Sequence, residues 1–343
     1  MNENGNGTRS FGSEPEKTPS GGNRSNAPLK KYLLYAILAI AAVVGLLLCA
    51  TIIAEIVCAV NDSKLPDNDI GGGKVEMVNG EIKFESSSLS SAEVKKGDLL
   101  LINKTHNIDP TLKAAIRAAS KNTYSVIGGT AFCKFDLTPL TVEKINLSET
   151  TISALRQLVE GLYTDTQCGD LLLCYGILDP KETTLEYDYP HQLGTVVDVK
   201  LYDSAGKKTS VQSNDVVAEW LRTKACKYGF IVEYEPVIDA SGKKSGHGAD
   251  EAIPSTQLRY VGVAHATYIQ ASKMSLDAYL AKVRTASSAK PLTFKAGELS
   301  YAVYFVEATG ETFTASLPTN YNYTVSGNNV DGVIVTVELS VKK

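Results

Sequence analysis

The stretch Tyr189-Pro190-His191-Gln192-Leu193-Gly194-Thr195-Val196-Val197-Asp198-Val199 constrains the fold more than any other part of the chain. Gly194 makes a turn that carries the histidine, and an apolar, β-branched run with one aspartate follows, which is the composition of a strand. Side chains alternate along a strand, so Val196 and Asp198 share one face while Val197 and Val199 share the other. A carboxylate pointing off such a strand costs free energy unless it is paired or bound to a metal. Two readings follow. His191 and Asp198 supply nitrogen and oxygen ligands to a zinc ion at a strand mouth, or Asp198 is a structural carboxylate paired with a helix N-terminus or an arginine. The spacing alone leaves both open.

The chain has 343 residues, room for one large or two ordinary domains. With 43% hydrophobic and 21% charged residues a real core is expected. A net charge of −4 argues against nucleic acid as a partner. Histidine is confined to His106, His191, His247 and His265, which narrows the choices for a metal site. Residues 1–31 are expected as a cytoplasmic tail too polar to fold alone. From Tyr32 to Ala54 the sequence has no charge, long enough to cross a bilayer as a helix and too long for an ordinary signal peptide. The expected anchor is 32–60. Lys30 and Lys31 before it put the N-terminus in the cytoplasm and the bulk of the chain outside the cell membrane. Residues 61–88 read as a linker and a short hairpin, the latter from Asn79-Gly80 within Lys74–Ser88. A core over 89–288 and a β-rich extension over 289–343 complete the organisation.

Within the core, the continuous apolar run Leu99–Asn103 reads as a buried strand. Asp109-Pro110 starts a helix, with Asp as N-cap and Pro at the first position. Ser148–Tyr163 has Ile152, Leu155, Leu158, Val159 and Leu162 at helical spacing. Asp170–Tyr175 is a strand, Asn214–Tyr228 a helix closed by Gly229, and Phe230–Tyr234 a strand. Ala264–Ala271 and Ser275–Val283 read as helices. After Leu292 the pattern alternates, with strands expected at Tyr301–Glu307, Thr312–Leu317, Tyr323–Ser326 and Gly332–Val341. Cys133, Cys168, Cys174 and Cys226 allow three pairings or none.

The His191 stretch resembles the Ser-x-His-x-x-Gly-x-Ala-x-Asp motif of VanY-type D-alanyl-D-alanine carboxypeptidases, zinc peptidases that trim peptidoglycan stems. His191, Gly194 and Asp198 fall on the motif, with Tyr189 where the family has Ser and Val196 where it has Ala. Trp220-Leu221 and Tyr228-Gly229-Phe230-Ile231, then Leu258-Arg259-Tyr260-Val261-Gly262, His265-Ala266 and Tyr279-Leu280, resemble the family's later segments. The resemblance runs from about Gly97 to Leu280. It implies an α+β fold, a carboxypeptidase-like core of mixed or antiparallel sheet flanked by helices, here with a β-rich appendage and a transmembrane helix.

The same resemblance exposes departures. Where the family has Glu-Pro-Trp-His, supplying the general base and third zinc ligand, this chain has Pro254-Ser255-Thr256-Gln257. A neutral amide is a poor zinc ligand, and proline holds no acid or base. The arginine that clamps the substrate carboxylate in the family is absent between Tyr175 and His191, where Lys181 offers only a point charge. His191, Asp198, Gln257, Tyr189 and Arg259 are the binding-site candidates, with His191 and Asp198 as vestigial metal ligands. The expected protein is a membrane-anchored, non-catalytic module with no cofactor that binds a peptidoglycan stem peptide or a cell-envelope protein. The alternative is an active zinc carboxypeptidase in which His247 and Glu251 fold back as ligand and base.

Overall fold

The computed structural model describes residues 74–103, 105–135, 145–177, 186–233, 237–238, 244–245 and 256–341. All of them fall in one compact unit, Leu65–Lys343. The expected anchor, the tail before it, Lys181, His247 and Glu251 lie outside the described residues. Among the described residues no helix is long and apolar enough to cross a membrane.

The fold is α+β, as expected. In chain order the main elements are β1 (Phe84–Ser90), α1 (Pro110–Ala119), β2 (Lys134–Phe135), α2 (Glu149–Thr166), β3 (Leu171–Tyr175), β4 (Val196–Tyr202), β5 (Lys208–Thr209), α3 (Asp215–Lys224) and β6 (Phe230–Glu233). There follow β7 (Thr256–Tyr260), α4 (Val263–Ser272), α5 (Leu276–Val283), β8 (Leu292–Ala296), β9 (Leu299–Glu307), β10 (Thr312–Pro318), β11 (Asn322–Gly327) and β12 (Gly332–Glu338). Helix starts are written locally. The Asp109 carboxylate accepts from the N–H groups of Thr111 and Leu112, with Pro110 at the first position, and the Ser148 hydroxyl accepts from Thr151 N at 3.2 Å.

The central sheet has the order β2–β3–β4–β7–β6, with β5 on the end of β4. β2 and β3 are parallel and the other pairs antiparallel. Val197 and Val199 on β4 and Leu258 on β7 face α2 and α3, forming a core with Leu155, Leu158 and Trp220. The opposite face carries Asp198, Gln257 and Arg259, and it is this face that holds the site.

A second, four-stranded antiparallel sheet has the order β8–β9–β12–β11. One of its faces, with Tyr301, Val303 and Ile334, packs against α4 and α5. The other, with Ala302, Tyr304, Val335 and Val337, packs against Ala315 and Leu317 of β10.

Two expectations are corrected. The hairpin over Lys74–Ser88 does not form. β1 pairs antiparallel with β10, from Phe84 opposite Pro318 to Ser90 opposite Thr312. The Asn79-Gly80 turn instead docks on Tyr321, whose hydroxyl accepts from Asn79 N at 2.9 Å and donates to Gly80 O at 2.7 Å. Leu99–Asn103 is buried at Leu99, Leu100 and Ile102 but is not a strand. Its hydrogen-bond partners are side chains and a turn rather than a neighbouring ladder. Cys133, Cys168, Cys174 and Cys226 are all free thiols.

Candidate functional site

His191 lies in a 3-10 turn over Glu186–Leu193, and Gly194, at φ +68°, swings the chain from that turn into β4. A side chain at Gly194 would meet Ile177 at 3.1 Å and Ser148 N at 3.2 Å, so glycine also permits the close approach of the α2 N-terminus. The turn places the imidazole over the first residues of β4, on the face away from α2 and α3.

The ring is 0% exposed. Its Nδ1 is 2.6 Å from Gly176 O. A carbonyl only accepts, so Nδ1 carries the proton and donates. Among the described residues Nε2 meets Asp198 Oδ1 at 3.0 Å and Gln257 Nε2 at 3.0 Å. The carboxylate is attracted to a protonated Nε2, whereas the Gln257 N–H needs a bare one. A donor and an acceptor therefore converge on one nitrogen, and a turn of the Gln257 amide to present its oxygen reconciles them when Nε2 is protonated.

Cross-strand register explains the convergence. Gln257 lies opposite Asp198 on β4 and opposite Glu233 on β6, and Asp198 lies opposite Tyr175 on β3. Tyr175, Asp198, Gln257 and Glu233 thus form one row across the sheet. The register of β3 shifts between Leu173 and Tyr175, the irregularity that re-aims a side chain at a strand end, and Tyr175 is 38% exposed. Asp198 and Gln257 are buried.

Arg259 sits two residues beyond Gln257 on the same face. Its Nη2 donates to Leu100 O at 2.6 Å, while its buried Nε has no hydrogen-bond partner among the described residues. Burial pulls the guanidinium below its ordinary pKa, against the opposing pull of Glu233, Asp277 and Asp98. Burial likewise pushes the Asp98 carboxyl up, opposed by Arg259. Three carboxylates near one cation describe an internal counter-charge.

The structure thus gathers His191, Asp198 and Gln257 at one point and places Arg259 beside them. Tyr189 belongs to the 3-10 turn, with its side chain outside the described residues. Tyr175 and the carbonyl of Gly176 were missed by sequence reasoning. Gly176 had a signal: a Cβ there would lie 2.4 Å from Asn146 O, and a glycine directly after a strand marks such an approach.

Catalytic zinc is held by three protein ligands with an open position for water. Among the described residues no three His, Cys, Asp or Glu side chains are gathered to hold a metal. The third corner is filled by an amide, so the described donors fall one ligand short of that set.

No protein-family model matches the chain. Among curated proteins, a D-alanyl-D-alanine carboxypeptidase of Enterococcus faecium is 24% identical over 265 residues, covering 74% of this chain and 79% of that protein. Among solved structures, the vancomycin-resistance D,D-dipeptidase VanXYg in complex with a D-Ala-D-Ala phosphinate analogue superposes with a TM-score of 0.56. The identity is 19%, and the match covers 75% of this chain and 99% of that one. A variant of the D,D-pentapeptidase VanY in complex with Zn(II) gives a TM-score of 0.35 at 18% identity, over 53% of this chain and 98% of that one. The mixed sheet, with a histidine and an aspartate meeting at the mouth of β4, shares its fold with the D,D-dipeptidase VanXYg. The curated relative and this neighbour support a likeness to the VanY-like D-alanyl-D-alanine carboxypeptidases.

Proposed function

We propose that this chain is a non-catalytic relative of the VanY-like carboxypeptidases that binds the D-alanyl-D-alanine end of a peptidoglycan stem peptide, held at the outer face of the cell membrane by the apolar run Tyr32–Ala54. The observation that carries the non-catalytic reading is the Gln257 amide, 3.0 Å from His191 Nε2, where the family pattern calls for a third metal ligand. A hydrogen-bonding triad of imidazole, carboxylate and amide replaces a metal-binding one. Support for the ligand class comes from the structural relative VanXYg, which holds a D-Ala-D-Ala phosphinate analogue. In this reading the buried His191, Asp198 and Gln257 form the floor that shapes the peptide site, and the exposed Tyr175 ring flanks the peptide at the strand end.

Titration calorimetry with a pentapeptide ending in D-Ala-D-Ala, metal analysis after dialysis, and a D-alanine release assay with added zinc test the proposal together. The expected outcome is binding without release and without stoichiometric zinc. Bound zinc with turnover abolished by His191→Ala would establish the alternative, an active carboxypeptidase completed by His247 and Glu251. Absence of peptide binding would leave a cell-envelope protein as the partner and overturn the stem-peptide reading.

A further inference from the structure

Besides its packing on α4 and α5, the C-terminal β unit meets the chain at a crossing beside the site. Residues 94–103 run as an irregular strap beneath the hairpin of β11 and β12. The backbone N–H groups of Gly327, Asn329 and Leu101 donate to Lys96 O at 2.6 Å, Val94 O at 2.9 Å and Asn328 O at 3.0 Å. Leu99 N donates to Ser326 Oγ at 3.0 Å, and Asn329 Nδ2 donates to Leu101 O at 3.0 Å and His106 O at 3.1 Å.

Two glycines allow so close a passage. A Cβ on Gly97 would lie 2.3 Å from Ser326 Oγ and 2.9 Å from Ser326 Cα, and one on Gly327 would lie 2.0 Å from Val94 O. The hairpin turn is stiffened from within, because Asn328 Oδ1 accepts from Val330 N, Asp331 N and Gly332 N at 2.9, 3.0 and 3.1 Å. Asn329 takes the left-handed conformation, φ +60°, that aims its amide at the strap.

The inner side of the strap touches both halves of the site. Leu100 O accepts from Arg259 Nη2 at 2.6 Å, two residues from Gln257. Leu100 and Ile102 pack with Leu193, two residues from His191. One residue, Leu100, therefore fixes the strand that carries the amide and the turn that carries the imidazole.

We infer that the β11–β12 hairpin is a positioning device for the site, with Asn329 as its positioning residue: the C-terminal β unit sets the distance between His191 and Gln257 through the strap at Leu100. This gives the extension a role that does not depend on which ligand the site takes.

The test uses the full chain with labelled histidine, four residues in all. Asn329→Asp keeps the size and the tolerance for the left-handed region but removes both Nδ2 donors. Without any ligand, the Leu101 amide should exchange roughly tenfold faster or more. The His191 ring signals should shift while those of His265 stay in place. Faster exchange at the strap with unmoved His191 signals would overturn the inference, as would no change in either. Should the variant fail to fold, the unsubstituted chain in low urea gives the same answer. The Leu101 amide and the His191 ring should report one opening with one urea dependence, and two separate openings would sink the idea. Because no peptide is added, failure here is distinct from failure of the stem-peptide reading.

Discussion

At the scale of single residues, the His191–Asp198 pair was legible because both residues sit in one short stretch whose alternation fixes their faces. Gln257, from a strand far along the chain, was legible only through the family resemblance, and its contact with His191 follows from the register of β4 and β7. Gly176 was not legible, because it contributes a carbonyl, which any residue possesses. A second histidine shows the cost of burial more plainly. His265 is buried, with Nδ1 2.6 Å from Tyr279 Oη and Nε2 3.1 Å from Thr336 Oγ1. Burial lowers its pKa to about 4, whereas the unfolded ring titrates near 6.5. The folded ring stays neutral where the unfolded ring takes a proton, so between these values the unfolded state binds more protons and stability rises with pH. The contribution is full above about pH 6.5 and is lost as pH falls toward 4, with a size of order 3 kcal/mol. Urea midpoints measured from pH 4 to 7 should show this slope, and His265→Gln should flatten it. A parent curve already flat across the window would contradict the assignment.

At the scale of elements, the helices were legible and the irregular pieces were not, for one physical reason. A helix is capped by its own neighbours in sequence, so Ser148 and Asp109 announce α2 and α1. The strap was read as a strand because a buried apolar run looks the same whatever its backbone pairs with, and its partners lie at Ser326, Asn328 and Arg259. Ser148 also links an element to the site. Its hydroxyl accepts from Thr151 N at 3.2 Å, while its own N–H donates to Gly194 O at 2.8 Å. Ser148→Ala should cost about 1 kcal/mol, seen as a lower urea midpoint with an unchanged slope. The backbone bond to Gly194 survives this substitution, so the His191 signals should hold still. A loss indistinguishable from zero would mean that water replaces the cap.

At the scale of the whole molecule, the four C-terminal strands were legible from their alternation, but their completion was not. β1 looked like half of a local hairpin because Asn-Gly is a strong turn signal, and only the structure reveals that its partner is β10. β1 and β10 should therefore open as one. In native-state hydrogen exchange, the ladder amides of Phe84–Ser90 and Thr312–Pro318 should converge on the same opening free energy as urea rises. Earlier release of β1 alone would show a strand merely laid against a unit that stands without it. The pairing also has a consequence during synthesis. On the ribosome the segment Phe84–Ser90 emerges long before Thr312–Pro318 exists, and an unpaired strand edge is an invitation to aggregate. Its sequence, Phe-Glu-Ser-Ser-Ser-Leu-Ser, carries a charge and four hydroxyls. A nascent strand so hydrophilic stays soluble while it waits, and the later segment Thr312–Pro318 finds a partner that has not been spent on another chain.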